Sequence, residues 1–335
     1  MIITRTPFRI SFFGGGTDYP IWYKKNGGSV LSTSINKYCY ITCRPLPPFF
    51  DYKYRVAYSK LETSKNTKNI EHPSVRELLN FVDLKNIGVS ISYDADLPAR
   101  SGLGSSSAFT VGLLNALHGL KGQIRNKYQL AMDAIHVEQK LIKENVGSQD
   151  QVIAAYGGLN RIDFANGGDI TVLPITISQK RLKELQDSLM IFFTGFSRNA
   201  SDIAAEQIKM TLTKNNELKL MHQMVDQALE ILNSNQNINK FGELLHESWQ
   251  IKRQLTPKIS NPAIDKIYET AIKTGATGGK LLGAGGGGFM LIFAQPKYQK
   301  KIRQKLGKLI HVPFAFENSG SRVIYYSTND LVDAF

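Results

Sequence analysis

The stretch Pro98–Leu117, reading P-A-R-S-G-L-G-S-S-S-A-F-T-V-G-L-L-N-A-L, constrains this chain more than any other. A polar loop with two glycines runs straight into an apolar helical pattern, and an extended run, Val89-Ser-Ile-Ser-Tyr, comes before it. The order is strand, loop, helix, with Gly102 and Gly104 letting the backbone pass close to a neighbour. Ser105, Ser106 and Ser107 fall where N-cap and first-turn residues belong. Free N–H groups at a helix start, with the positive end of its dipole, bind anions. The three hydroxyls there can cap the helix, touch phosphate or ligate Mg²⁺. A serine-capped core helix after a glycine turn is the plainer alternative. Two familiar phosphate-binding patterns are excluded. No lysine follows Gly104 as a P-loop requires, and Ser107 stands where a dinucleotide fingerprint needs its third glycine.

A chain of 335 residues is long for one core, so two domains are expected, 1–175 and 176–335. No apolar run reaches the roughly 20 residues of a membrane helix, and the start lacks a signal peptide's apolar region. A cytoplasmic protein without a membrane partner is expected. Cys39 and Cys43 lie four apart on one strand, roughly 13 Å from each other, so they read as reduced packing residues. The net charge of +13 raises the question of nucleic acid. Its distribution answers against it: residues 1–175 hold 20 basic and 14 acidic side chains, residues 176–335 hold 21 and 14. Only Lys297–Lys308 is densely basic, and its apolar residues suggest a surface helix. A diffuse positive field steers small anionic substrates instead.

Three acids stand out along the first half. Asp18 follows the triple glycine Gly14-Gly-Gly, in a loop able to lie flat against a ligand, although an Asx turn would also explain it. Strands are expected at Ile2–Ile10, Gly28–Ile35 and Tyr38–Arg44, and Pro45–His72 reads as an excursion or flexible loop. Lys127–Glu144 predicts an amphipathic helix closed by Gly147. Glu138 lies in the middle of its apolar face, where a carboxylate must be paired, protonated or metal-bound. An arginine ion pair and Mg²⁺ ligation are the two readings. Asp150 falls near the start of the next short helix, where an acid can be no more than a dipole partner. In the second half, Gly283–Gly288 matches G-x-G-x-x-G, but a strand follows where a dinucleotide site needs a helix. That loop suggests close approach to a ligand or to another loop.

Three motifs now stand in order: an early R-x-x-x-x-G-x-x-T-D-Y, then P-x-x-x-G-L-G-S-S-S-A, then K-L-L-G-A-G-G-G-G-F. Together, from Thr4 to about Phe293, they resemble the GHMP kinases. The runs Gly14-Gly-Gly-Thr-Asp18, Gly147-Ser-Gln-Asp-Gln151, Tyr156-Gly-Gly-Leu159 and Thr194-Gly-Phe-Ser-Arg198 are most similar to the branch acting on D-glycero-D-manno-heptose 7-phosphate. The resemblance implies an α+β fold of two parts, an N-terminal domain like ribosomal protein S5 domain 2 and a ferredoxin-like C-terminal domain. It implies ATP and Mg²⁺, and a sugar or sugar phosphate as acceptor, phosphorylated at the anomeric hydroxyl. A homodimer is one expectation for its assembly.

By residue, the resemblance makes Pro98, Ser101, Gly102, Leu103, Gly104, Ser105, Ser106 and Ser107 the ATP phosphate loop. Ser106 and Glu138 would ligate the metal, with the neighbouring serines left open. Asp150 would be the catalytic base and Arg9 its cationic partner. Gly14, Gly15, Gly16, Thr17 and Asp18 would meet the sugar, with Gly285 and Gly286. Apart from the resemblance, a substrate phosphate needs cationic partners, and Arg198 and Lys280 are the candidates chosen for it. Galactokinase has a glutamate and a histidine where this chain has Gly15 and Gly16, which leaves room for a larger or phosphorylated sugar. Another GHMP sugar kinase, or a catalytically silent sensor on the same scaffold, is the rival reading.

Overall fold

The structure is a computed structural model that describes residues 1–84, 87–99, 101–195, 200–211 and 213–327. The first part of the chain runs β1 (Ile2–Phe13), α1 (Pro20–Asn26), β2 (Gly28–Pro45), β3 (Tyr54–Ala57), β4 (Leu61–Ser64), α2 (Pro73–Phe81) and β5 (Val89–Ala95). Next come α3 (Ser105–Leu120), α4 (Lys127–His136), α5 (Gln149–Tyr156), β6 (Leu159–Phe164) and β7 (Ile170–Pro174). The second part holds α6 (Gln179–Asp187), β8 (Leu189–Phe193), α7 (Ala200–Met210), α8 (Asn215–Asn233), α9 (Asn239–Arg253) and α10 (Pro262–Lys273). It ends with β9 (Gly278–Leu281), β10 (Phe289–Phe293), α11 (Pro296–Lys305), β11 (Ile310–Val312), β12 (Phe316–Glu317) and β13 (Arg322–Tyr326).

The expected strands 28–35 and 38–44 are one continuous strand, β2, paired antiparallel with β1 along its length. The register slips where Pro7 faces Tyr38 and Phe8 faces Ile35, leaving Asn36 and Lys37 as extra residues on β2. Pro7 has no N–H for the ladder, so a bulge opposite it leaves no donor missing. The bend lets β2 take different neighbours on its two halves, β6 along Gly28–Thr33 and β5 along Cys39–Pro45. The segment expected as a loop, Pro45–His72, carries β3 and β4, and β3 extends this sheet parallel to β5. Cys39 and Cys43 are fully buried free thiols, and burial pushes the Cys39 thiol up to about 12.

Helix α3 lies on this sheet with little but Ser106, Asn115 and Gly119 outside the buried set. Its close seat depends on a glycine: a Cβ on Gly112 would stand 2.8 Å from Thr6 Oγ1, and Thr4 Oγ1 donates to the Gly112 carbonyl at 2.9 Å. Burying side chains such as Leu113, Leu114 and Leu117 contributes about 2 kcal/mol each, so the helix start is anchored by the core behind it.

The second sheet is antiparallel in the order β11-β8-β10-β9, the strand order expected of a ferredoxin-like arrangement. Phe241 of α9 joins the two parts, packing edge-on against Phe12 and Phe13 of β1 at 5.4 and 5.0 Å. A division at 175/176 separates the sheets only up to β11. Strands β12 and β13 return to the first sheet, on β2 and β1, so the last described residues belong with the N-terminal layer. No helix among the described residues is long and apolar enough to cross a membrane.

Candidate active site

Where the two parts meet, a cleft of about 710 Å³ brings together residues distant in sequence, including Arg9, Asp18, Ser106, Asp150, Lys252 and Lys280. One wall is the start of α3. Gly104 is its N-cap, at φ 75°, so glycine rather than serine turns the chain into the helix. Ser105, Ser106 and Ser107 are therefore the first turn, ahead of the first ladder bond from Ala108 N–H to the Gly104 carbonyl. That turn is the positive end of the helix and faces the cleft. Gly102, Gly104 and the three serines line the cleft, whereas Ser101 and Leu103 are buried behind it and Pro98 is exposed away from it.

The loop is held from both sides. Arg9 N–H donates to the Leu103 carbonyl at 3.0 Å, and Arg9 Nη1 to the Gly102 carbonyl at 2.6 Å. Opposite, the late glycine run packs directly on it: Phe289 N–H donates to the Ser101 carbonyl at 3.1 Å, and a Cβ on Gly288, at φ 101°, would lie 2.2 Å from that same oxygen. The partner of these glycines is thus another loop. Gly283 and Ala284 reach the cleft, while Gly285 and Gly286 sit on Ile259 instead.

Arg9 and Asp150 form a two-pronged pair, Nε to Oδ1 and Nη2 to Oδ2, both at 2.7 Å. The Arg9 side chain is 6% exposed and that of Asp150 25%, so the arginine is fixed while the carboxylate remains reachable from the cleft. Asp18 is buried and lines the same space. Gly16 N–H donates to its Oδ1 at 2.9 Å and Gln149 N–H to its Oδ2 at 3.4 Å. Burial raises the Asp18 carboxyl, with the charge of Asp150 adding to it and the Gly16 amide opposing. A carboxyl held toward its neutral form can both donate to and accept from a sugar hydroxyl. Gly147 does not close a helix. A Cβ there would stand 1.9 Å from Asp18 Oδ2, so the glycine makes room for that carboxyl. Gly15 and Gly16 line the cleft, but Gly14 abuts the Ser29 carbonyl and Thr17 is tied to Gly14 and Ser29 carbonyls beneath the surface. Arg198 lies outside the described residues.

The predicted helix through Glu144 is α-helical only to His136. Val137–Leu141 form a π turn, with Ile142 N–H on the Val137 carbonyl at 2.8 Å, and Glu138 sits in it. Such a turn inserts a residue and re-aims side chains. Glu138 is fully buried and has no arginine partner among the described residues. Its Oε2 accepts from Ser107 Oγ at 2.9 Å and from Gln151 Nε2. Among the described residues its Oε1 has no well-formed hydrogen bond, nor has the nearby Thr110 hydroxyl. Burial pushes this carboxyl up to about 7, the nearby Thr110 hydroxyl opposing and the Glu144 charge adding. A buried carboxyl with an unused oxygen beneath serine hydroxyls suits a hard divalent cation. Among the described residues no three His, Cys, Asp or Glu side chains gather, so such an ion would complete its shell with phosphate and water oxygens. It is Ser107, not Ser106, that touches Glu138, while Ser106 is exposed on the cleft wall.

One cleft residue escaped the sequence reading. Lys252 is on the buried stripe of α9 with Phe241, Leu245, Ser248 and Trp249, a helical spacing that marks it as an inward lysine. Burial lowers its ammonium to about 8, and the Arg9 charge adds to this. Between pH 8 and 10.5 the unfolded chain therefore holds the proton that the folded chain has released, so stability from this group rises with pH across that window. The unfolding free energy of the protein relative to Lys252→Gln is expected to rise by about 2–3 kcal/mol from pH 7.5 to 10.5. Urea unfolding of both proteins at the two pH values measures it, and a flat difference would refute a buried ammonium.

The sequence profile for the GHMP kinases N terminal domain matches residues 73–158, and that for GHMP kinases C terminal matches 224–311. The D-glycero-alpha-D-manno-heptose 7-phosphate kinase of Campylobacter jejuni is 30% identical over 330 residues, covering 94% of this chain and 97% of its own. The bifunctional fucokinase/GDP-fucose pyrophosphorylase of Arabidopsis thaliana is 27% identical over 90% of this chain and 30% of its own. A crystal structure of a D-glycero-D-manno-heptose 1-phosphate kinase from Bacteroides thetaiotaomicron superposes with a TM-score of 0.80 at 22% identity, covering 98% of this chain and 100% of the other.

Proposed function

This chain belongs to the GHMP kinases, and on that premise we propose that it phosphorylates the anomeric hydroxyl of D-glycero-D-manno-heptose 7-phosphate. It is an ATP-dependent phosphotransferase that acts on a sugar hydroxyl, and a sugar phosphate kinase. The observation that carries the site assignment is the Arg9–Asp150 pair beside the first turn of α3.

Phosphoryl transfer requires alignment and charge neutralisation more than covalent help. The amides and hydroxyls of the Gly102–Ser107 segment hold the triphosphate at the helix start. Glu138 and a serine of that turn would hold Mg²⁺, which when bound neutralises phosphate charge. Arg9 locks Asp150 in one orientation, and Asp150 accepts the proton of the attacking hydroxyl. Asp18, between the amides of Gly16 and Gln149, orients a second sugar hydroxyl. Gly15 and Gly16 carry no side chain into this end of the cleft, which leaves width for a seven-carbon sugar phosphate.

The test is ADP release from Mg·ATP with D-glycero-D-manno-heptose 7-phosphate, sedoheptulose 7-phosphate, mannose, mannose 6-phosphate, fucose and galactose. Turnover on the manno-heptose phosphate above all others is expected. Turnover on fucose or another free sugar would keep the kinase and remove the heptose assignment.

A further inference from the structure

Two lysine ammonium groups line the cleft, and neither has a carboxylate on it among the described residues. Lys252 Nζ donates to the carbonyls of Leu281 at 3.2 Å and Gly283 at 2.5 Å, and Lys280 Nζ donates to the Phe12 carbonyl at 2.7 Å. Lys252 is 8% exposed and Lys280 3%, yet both border the open cleft. The charges acting on them are mostly of their own sign. Arg9 opposes both, Lys252 opposes Lys280, and among the described residues it is Asp18 that favours their charged forms. Burying a cation without a counter-charge is costly. Three of the six N–H donors that two ammonium groups carry are on backbone carbonyls, which leaves donors for a ligand. The neighbours are equally telling. Gly283, held by Lys252, packs against Gly102 of the phosphate loop, and Phe12, held by Lys280, precedes the Gly14–Asp18 loop. The pair therefore spans the junction between the phosphate loop and the acceptor end, beside Arg9.

We infer that Lys252 and Lys280 together hold a phosphate-class oxyanion next to Asp150, an assignment that rests on the phosphoryl-transfer reading above. Such an anion supplies the counter-charge that the protein withholds. A lone structural role for either lysine would be met by any donor to the same carbonyls, without a positive charge. Two sources present this chemistry at the junction: the phosphoryl group in transfer, and a phosphate already on the acceptor.

The experiment uses the full chain and Lys252→Gln and Lys280→Gln, which keep an N–H donor and remove the charge. With Mg·ADP saturating the phosphate loop, calorimetric titration with inorganic phosphate is expected to show binding. Loss of a charge-assisted hydrogen bond should weaken it by about tenfold or more in each variant. This arm needs no turnover, so it stands apart from the acceptor assignment if no sugar on the panel reacts. Steady-state kinetics on the sugar phosphate then separates the sources. A KM raised about tenfold with kcat little changed assigns the site to the acceptor's phosphate, and a kcat lowered about tenfold with KM little changed assigns it to the group in transfer. Either supports an oxyanion site. Equal phosphate affinity in all three proteins, each shown to be folded at the titration temperature, would overturn it, as would absence of phosphate binding in the unsubstituted protein.

Discussion

Replacing Asp150 with asparagine is expected to lower kcat by about 10²–10⁴-fold, the range of a positioned general base. ATP affinity should stay within a few-fold. The asymmetry follows from the site. Asp150 makes its two strong contacts with Arg9 at 2.7 Å and lies across from the first turn of α3 rather than in it. Asparagine can still accept from Arg9 through its oxygen, and Arg9 keeps its separate bond to the Gly102 carbonyl, so the phosphate loop stays braced. What disappears is an oxygen able to take a proton. Equilibrium titration with a non-hydrolysable ATP analogue, beside steady-state turnover, separates the two effects. A parallel loss of nucleotide binding would mean that Asp150 supports the loop and is not the base.

The second large effect concerns Glu138. Glu138→Gln should leave the fold intact, because the amide oxygen can still accept from Ser107 and Gln151 and a buried carboxyl is replaced by a neutral group of the same shape. Turnover should nevertheless fall by about 10²-fold or more if this oxygen takes part in the charge neutralisation of the transfer. The decisive readout is independent of catalysis. ADP with Mg²⁺ should raise the unfolding temperature of the unsubstituted protein more than ADP alone, and the variant should lose that difference. An undiminished Mg²⁺ increment in the variant would move the metal to other ligands.

Much of this site was legible in the residue order, and the exceptions have physical reasons. The strand-loop-helix at Val89–Leu117 and the acid misplaced on an apolar face were both read from local pattern, and both lie where expected. The bonding around Glu138 was not legible. A π turn leaves no mark on an apolar period, and it brings Glu138 onto Ser107 while Ser106 faces the cleft. Gly147 looked like a helix stop because glycine serves that role so often, whereas here the contact with Asp18 across the chain decides it. Sheet pairing is non-local, so the return of β12 and β13 to the first layer could not be seen from a boundary drawn at residue 176. Lys252 could have been found. Its spacing from Phe241, Leu245 and Trp249 puts it on the inner face of α9, by the same argument that singled out Glu138.

The most direct test of the central claim is ³¹P NMR of the product formed from Mg·ATP and D-glycero-D-manno-heptose 7-phosphate. The account predicts a new anomeric phosphomonoester signal growing in step with ADP, with the 7-phosphate signal retained and no such signal from Asp150→Asn on the same timescale. ADP formed without a new sugar phosphorus signal, or a new phosphate on a non-anomeric carbon, would contradict it.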